Sequence, residues 1–401
     1  MLIFNYLILP FSLLVTEFQG LLKSEPETFQ EIRINPRAAL SQEVFAEDVF
    51  EQVNYIPLQT NKESGFGKID QLEATAEYFF ILDQNHRQTT SKASSAILVF
   101  KRSGEFYSKI NTVQTFFFSL NRYKEEVVVL DLLTQSNLIY NYNGKLIRTE
   151  PKDFFVAAFA YTSPSTILNY RQGIVDENSS EKAGNFANCD LIFTDSSKNI
   201  LDGFFPFDTT SISGQEIKGG SSLFFSQSGN DVFFHRPYFG DFYRISGNKL
   251  KPAYRFILPL LNTLPVNFGK DKKYLNKRLD HLKNHPDQVY DITNFFQSAD
   301  VLSFKLCSEK TKFSFLYHLK NKNLIELSSI QTDDLLLAPL NENILASDGV
   351  HLVTFTTAIT LAGSQKKDTD KHKIPPNLQK ILQTASSAES NPILVLLKPR
   401  I

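Results

Sequence analysis

The stretch EDVFEQVNYIPLQT, Glu47–Thr60, ends in a strand-like run with no hairpin partner nearby. Aromatic and β-branched residues favour strands, and VNYIPLQ supplies Val53, Tyr55 and Ile56. Pro57 lies inside the run. Proline offers no ladder donor, so it suits a strand at a sheet edge. The partner must come from elsewhere in the chain, and finding it sets the architecture.

Downstream, helical periodicity is rare. Short strand-like runs recur between turn residues, which points to an all-β repeat. The clearest unit is Ile69–Ala74, Tyr78–Asp83, Ser95–Arg102 and, after the turn RSGE, Glu105–Ile110. Four antiparallel strands in about 45 residues is the size of a propeller blade. A second unit runs over Thr115–Thr149 with the turn YNGK, a third over Phe154–Phe205, a fourth over Ser222–Ile257 and a fifth over Asp291–Ser329. The last unit offers Asp334–Leu340, Val350–Thr357 and Pro392–Lys398, then no fourth strand. A blade one strand short leaves a raw sheet edge. VNYIPLQ is therefore expected beside PILVLLK. The predicted fold is a single six-bladed β-propeller of four-stranded antiparallel blades, its ring closed by the N-terminal strand. A helical insertion is expected at about 272–286, stopped by Pro286, and a polar loop with a short helix at about 364–388.

Composition narrows the class. With 42% hydrophobic and 21% charged residues the chain is globular, and a formal net charge of −1 lacks the basic surplus of a general nucleic-acid binder. Residues 1–21 carry an apolar run, Leu2–Val15, too short for a comfortable membrane span and similar to the core of a signal peptide. The propeller then occupies 22–401. No cysteine lies near this segment, so no lipid anchor is expected. The two cysteines, Cys189 and Cys307, lack CxxC spacing and read as core thiols, their pairing left open.

The runs EDVFEQVNYIPLQT, GKID, YFFILD, SSAILVFKRSGEF, HRPYFGDFYRI and NPILVLLK together resemble a six-bladed β-propeller family of exported proteins in Gram-negative bacteria. The resemblance spans roughly Ile32 to Lys398. Where that family carries a Gly/Pro-rich loop between the first two blades, this chain reads KINTVQTFFF. The resemblance implies export to the periplasm, cell envelope or medium, a connection to nutrient uptake, and no agreed catalytic motif.

Several constellations invite a functional reading. The inner strands are rich in Phe and poor in carboxylates, with Asp70, Glu73, Asp291 and Asp334 near strand ends. A hard cation wants several oxygen ligands, so neither a metal nor another cofactor is expected, and the Phe residues read as core between blades. In HRPYFGDFYR, His235, Arg236 and Tyr238 fall in the loop between the second and third strands of the fourth unit. Arg87 and Arg171 hold equivalent loop positions in the first and third units. An arginine among aromatics suits bidentate binding of a carboxylate or phosphate. The competing reading pairs Arg236 with Asp241 to brace the loop and packs Tyr238 on the next blade. His281 and His285, four apart, share a helix face but lack the Glu of a HExxH site. The function expected is an exported, non-catalytic binding protein that presents its loop rims to a glycan, peptide or protein partner. The alternative is a hydrolase or lyase with its site at the channel mouth. A scaffold role would show itself as a large exposed apolar patch.

Overall fold

The computed structural model describes residues 28–39, 43–86, 94–112, 115–174, 184–208, 210–219, 224–340, 343–367, 379 and 390–400. The signal-peptide-like segment lies outside the described residues, and of the loop and short helix expected at about 364–388 only 364–367 and Gln379 are described.

The fold is an all-β propeller. Four sheets are four-stranded antiparallel blades in chain order. The first comprises Gln71–Ala74, Tyr78–His86, Ser94–Lys101 and Phe106–Thr112. The second comprises Phe118–Asn121, Glu126–Asp131, Ser136–Asn141 and Leu146–Pro151. The third comprises Ala158–Ser163, Thr166–Tyr170, Cys189–Asp195 and Ile200–Pro206. The other comprises Asp291–Ser298, Val301–Cys307, Lys312–His318 and Leu324–Glu326. Tight turns follow from glycine. Gly104 and Gly144, in RSGE and YNGK, sit at φ +87° and +83°, where a side chain would be strained.

The expectation of six separate blades is corrected by the sheet topology. Strands of the fourth and last units lie together in one nine-stranded sheet. Its two halves, Phe225–Ile257 and Ala346–Pro399 with Phe50–Pro57, join through a parallel bridge between Ser228 and Ser347. Two glycines permit that approach. A Cβ on Gly349 would meet the Cα of Gly229 at 3.2 Å, and both residues have positive φ. Gln297 ties the neighbouring blade to the junction: its N–H donates to Ser228 Oγ at 2.9 Å, and its carbonyl accepts from Ser347 Oγ at 3.0 Å. Gln30–Arg33, which carried no strand expectation, extends the sheet by pairing in parallel with Lys249–Ile257.

DLLLAPL, expected as an inner strand, is not one. Leu336, Leu337, Ala338 and Leu340 are buried in irregular backbone. Backbone donors of this run find side chains instead at three positions: Tyr55 Oη accepts from Leu337 N at 2.8 Å, and Asp333 Oδ1 accepts from Leu335 and Leu336 N. An apolar run can be buried without a ladder when its polar groups are met this way.

Phe50–Pro57 pairs antiparallel with Ile393–Pro399, in register from Pro57 opposite Ile393 to Gln52 opposite Lys398, with a shift of register before Phe50 meets Pro399. The partner sought for the Glu47–Thr60 stretch is therefore at the other end of the chain. Asn391 holds the two ends together. Its side chain donates to the carbonyls of Gln59 and Ser64, both at 2.8 Å, and accepts from Phe66 N at 3.1 Å.

The core lies between sheets, and strand alternation decides which face serves which neighbour. In the second blade Val127 and Val129 pack against Phe80 and Leu82 of the first, while Val128 and Leu130 pack with Phe159 and Leu168 of the third. In the same way Leu394 and Leu396 join Phe79 and Ile81, while Ile393 and Val395 join Phe296 and Leu316. Each fully buried Phe, Leu or Val contributes about 1.5–3 kcal/mol, so packing between neighbours, rather than any single sheet, carries the ring.

Candidate functional site

Consecutive hairpin strands put the turn between the second and third strands, the start of the first and the end of the fourth at one end of a unit. At that end a cleft of about 420 Å³ opens between the third blade and the Phe225–Ile257 half of the nine-stranded sheet. Tyr170, Asp190, Phe207, Arg236, Phe239 and Lys270 line it.

Arg236 follows the strand Asp231–His235. Its guanidinium lies 3.8 Å from the Phe205 ring centroid and 4.3 Å from that of Phe239. A cation this close to aromatic rings is attracted by their π faces while its N–H groups can still donate. Among the described residues, no hydrogen bond or ion pair takes those donors. The bracing role weighed for Asp241 goes elsewhere: Arg255 holds that carboxylate with two bonds, at 2.6 and 2.9 Å.

Tyr238 has φ +73° and is buried, its ring edge-on to Phe268 at 5.2 Å. Its hydroxyl donates to the Glu216 carbonyl and accepts from Lys218 N at 2.9 Å. Burial pushes the phenol up to about 12. Tyr238 therefore builds the wall rather than offering a free hydroxyl.

Asp190, from the third blade, is 3% exposed and accepts from Gly173 N at 2.7 Å. Burial raises its carboxyl to about 6 against the opposing pull of that bond and of Arg236 and Arg171. Asp208 behaves oppositely. Bonds from Ser211 and Thr210 hold it down at about 2.

The other expected site residues are placed differently. His235 is buried beneath the cleft, stacked on Phe242 at 4.8 Å with Nε2 3.2 Å from Asp291 Oδ1. Arg171 is 1% exposed and donates to the Ala187 carbonyl. Arg87 lies outside the described residues. The structure thus brings Arg236 and Tyr238 to one cleft, sets His235 and Arg171 in the interior around it, and assembles no polar ring among the described residues of this set.

The sequence reading missed the residues that frame the cleft. Arg278, in the helix Arg278–Asn284, is fully buried. It reaches Glu216 Oε2 at 3.4 Å and the carbonyls of Phe268 and Asp271 at 2.9 and 3.0 Å. This clamp fixes the two long loops that carry Phe207, Ile212 and Lys270. In sequence it is one charge in a charged helix, and nothing local marks it as buried. Asp190 was equally silent.

Elsewhere the candidates are engaged locally. Asp70 pairs with Lys68 at 2.5 Å, and Glu73 with Arg122 at 3.1 Å. The rings of His281 and His285 stack at 4.1 Å, and His281 Nε2 meets Gln288 Oε1 at 3.0 Å. Among the described residues no three His, Cys, Asp or Glu side chains converge as a metal site. Cys189 and Cys307 are both free thiols. No described helix is long and apolar enough to cross a membrane.

Fold and cleft together define a β-propeller with a ligand-sized hollow on its loop rim. A family model described as a domain of unknown function, DUF4934, matches residues 31–398, and the chain belongs to that family. A solved structure from Bacteroides fragilis, called a "Putative exported protein", is similar at 18% identity and a TM-score of 0.69, covering 93% of this chain and 100% of its own. A DUF4221 family member from Bacteroides vulgatus aligns at 8% identity and a TM-score of 0.45, covering 87% of this chain and 96% of its own. A periplasmic gluconolactonase from Pseudomonas aeruginosa aligns at 11% identity and a TM-score of 0.36, covering 70% and 82%. Only the first bears on the fold. Among functionally curated proteins, none matches.

Proposed function

We propose that the chain is an exported, non-catalytic binding protein of the periplasm or cell envelope, serving nutrient uptake by presenting its loop rim to a glycan, peptide or protein partner. One observation carries the reading. Arg236 is clamped between Phe205 and Phe239 at the wall of a 420 Å³ cleft, with its donors unclaimed by any described residue. A buried or stacked cation held in place without an acceptor is pre-organised for a ligand, because little rotamer freedom remains to be lost on binding. The printed name of the similar Bacteroides fragilis protein supports the compartment, as does the signal-peptide-like start.

The test is a thermal-shift screen of the purified chain against neutral and acidic oligosaccharides and short peptides. A ligand that binds only the native state raises the midpoint. The expected result is at least one ligand whose shift disappears in Arg236→Gln. A panel in which every shift survives that substitution overturns the assignment of the cleft.

A further inference from the structure

Resting on the rim-binding reading, we infer that the cleft selects a carboxylate attached to an apolar body. The head group follows from Arg236. Its guanidinium carbon lies 3.8 and 4.3 Å from the Phe205 and Phe239 ring centroids, and its fork of N–H groups is what it has to offer a ligand. That fork matches the two oxygens of a carboxylate. The surroundings favour a single negative charge. Asp190 shares the cleft and opposes a phosphate dianion, while the second cation, Lys270, is exposed at the mouth and lies 5.7 Å from the Phe239 ring.

The body follows from the remaining wall. Pro206, Phe207, Ile212, Ile217 and Pro237 present carbon. Two of the polar groups among them are engaged: Tyr238 Oη by Glu216 and Lys218, and Asp208 by Thr210 and Ser211. A sugar needs partners for several hydroxyls, and the wall has few to give. An apolar group next to a carboxylate leaves nothing unmet. The volume suits one large side chain with its neighbouring backbone, or an aryl or alkyl acid of similar size. These two sources, a peptide C-terminus and a free organic acid, share the same chemistry.

Calorimetric titration separates them. The probes are N-acetyl-phenylalanine and its amide, 4-phenylbutyrate, and a tripeptide ending in Phe with a free or an amidated terminus. The free acids are expected to bind at least tenfold tighter than the amides, with that preference lost in Arg236→Gln. Arg236→Lys keeps the charge without the fork, so a folded variant with a partial loss checks that the effect is not unfolding. A tighter tripeptide acid assigns the peptide terminus, and a tighter phenylbutyrate assigns the free acid. Equal binding of acids and amides overturns the inference. So does a neutral oligosaccharide that binds in an Arg236-dependent way while the acids do not, although the rim-binding reading then stands. If neither acids nor oligosaccharides bind, both fall.

Discussion

The side chain of Gln71 bonds both backbone groups of Phe118: Nε2 donates to the carbonyl at 2.8 Å, and Oε1 accepts from the N–H at 3.1 Å. Gln71 is on the inner strand of the first blade and Phe118 on that of the second. The two inner strands share no ladder, so this amide stands in for one where they meet. Gln71→Leu leaves a buried donor and acceptor unpaired, at about 1–3 kcal/mol each. The expected loss is about 2–4 kcal/mol of stability, measured by urea unfolding. A loss under 0.5 kcal/mol would show that water or a neighbour replaces the amide.

The Glu216–Arg278 clamp lies under the cleft loops, with Arg278 fully buried. Removing one partner of a buried pair strands the other charge and costs about 3–5 kcal/mol. Glu216→Ala is expected to destabilise by that order and to weaken ligand binding through the displaced loops. Hydrogen exchange should show faster opening in 207–219 and 262–275, with the second blade unchanged.

Asp190 makes stability depend on pH in a defined direction. Its carboxyl sits at about 6 in the folded chain against an ordinary 3.8. Between about pH 4 and 6 the folded chain keeps a proton that the unfolded chain has lost, so this group lowers stability as pH rises. Above pH 6 the cost is complete, on the order of 3 kcal/mol. Asp190→Asn is therefore expected to be more stable than the parent at pH 8 by about 1–3 kcal/mol, since its amide oxygen can still accept from Gly173. The advantage should vanish near pH 4. Melting temperatures of both proteins across that range decide it.

The junction of the chain ends can be broken from either side. Gly104 has φ +87°, and a Cβ there would fall 2.0 Å from the Pro57 carbonyl oxygen. Gly104→Ala is expected to cost about 2–4 kcal/mol from strain and clash. Deleting residues 1–60 removes the strand that covers Ile393–Pro399 and bares a sheet edge. The truncated chain should aggregate or lose its cooperative melt. A soluble, monomeric remainder with an unchanged melt would refute the role assigned to this strand.

Much of the architecture was legible along the chain because it depends on local signals. Continuous apolar runs in YFFILD and EVVVLD name strands with two buried faces, and RSGE and YNGK name turns that need glycine. The partnership of Phe50–Pro57 with Ile393–Pro399 was legible because each was a strand with an unmet edge. The DLLLAPL run misled because burial and strand pairing look alike in an apolar segment, and only Tyr55 and Asp333 reveal how its backbone is satisfied. At the candidate site, Arg236 and Tyr238 stood out as an arginine and a tyrosine in an aromatic turn, whereas nothing local distinguished the buried Arg171 and His235 from rim residues.

By itself the sequence determined most of the strands, the glycine turns and the all-β repeat, since apolar patterning and a glycine at positive φ are properties of neighbouring residues. Only the tertiary structure decided that Ser228 meets Ser347 in one continuous sheet, that Arg278 is buried against Glu216, and that Arg236 is held between Phe205 and Phe239 beside Asp190. Those contacts join residues tens to hundreds of positions apart, and their energies arise from burial and geometry that exist only once the chain has closed on itself.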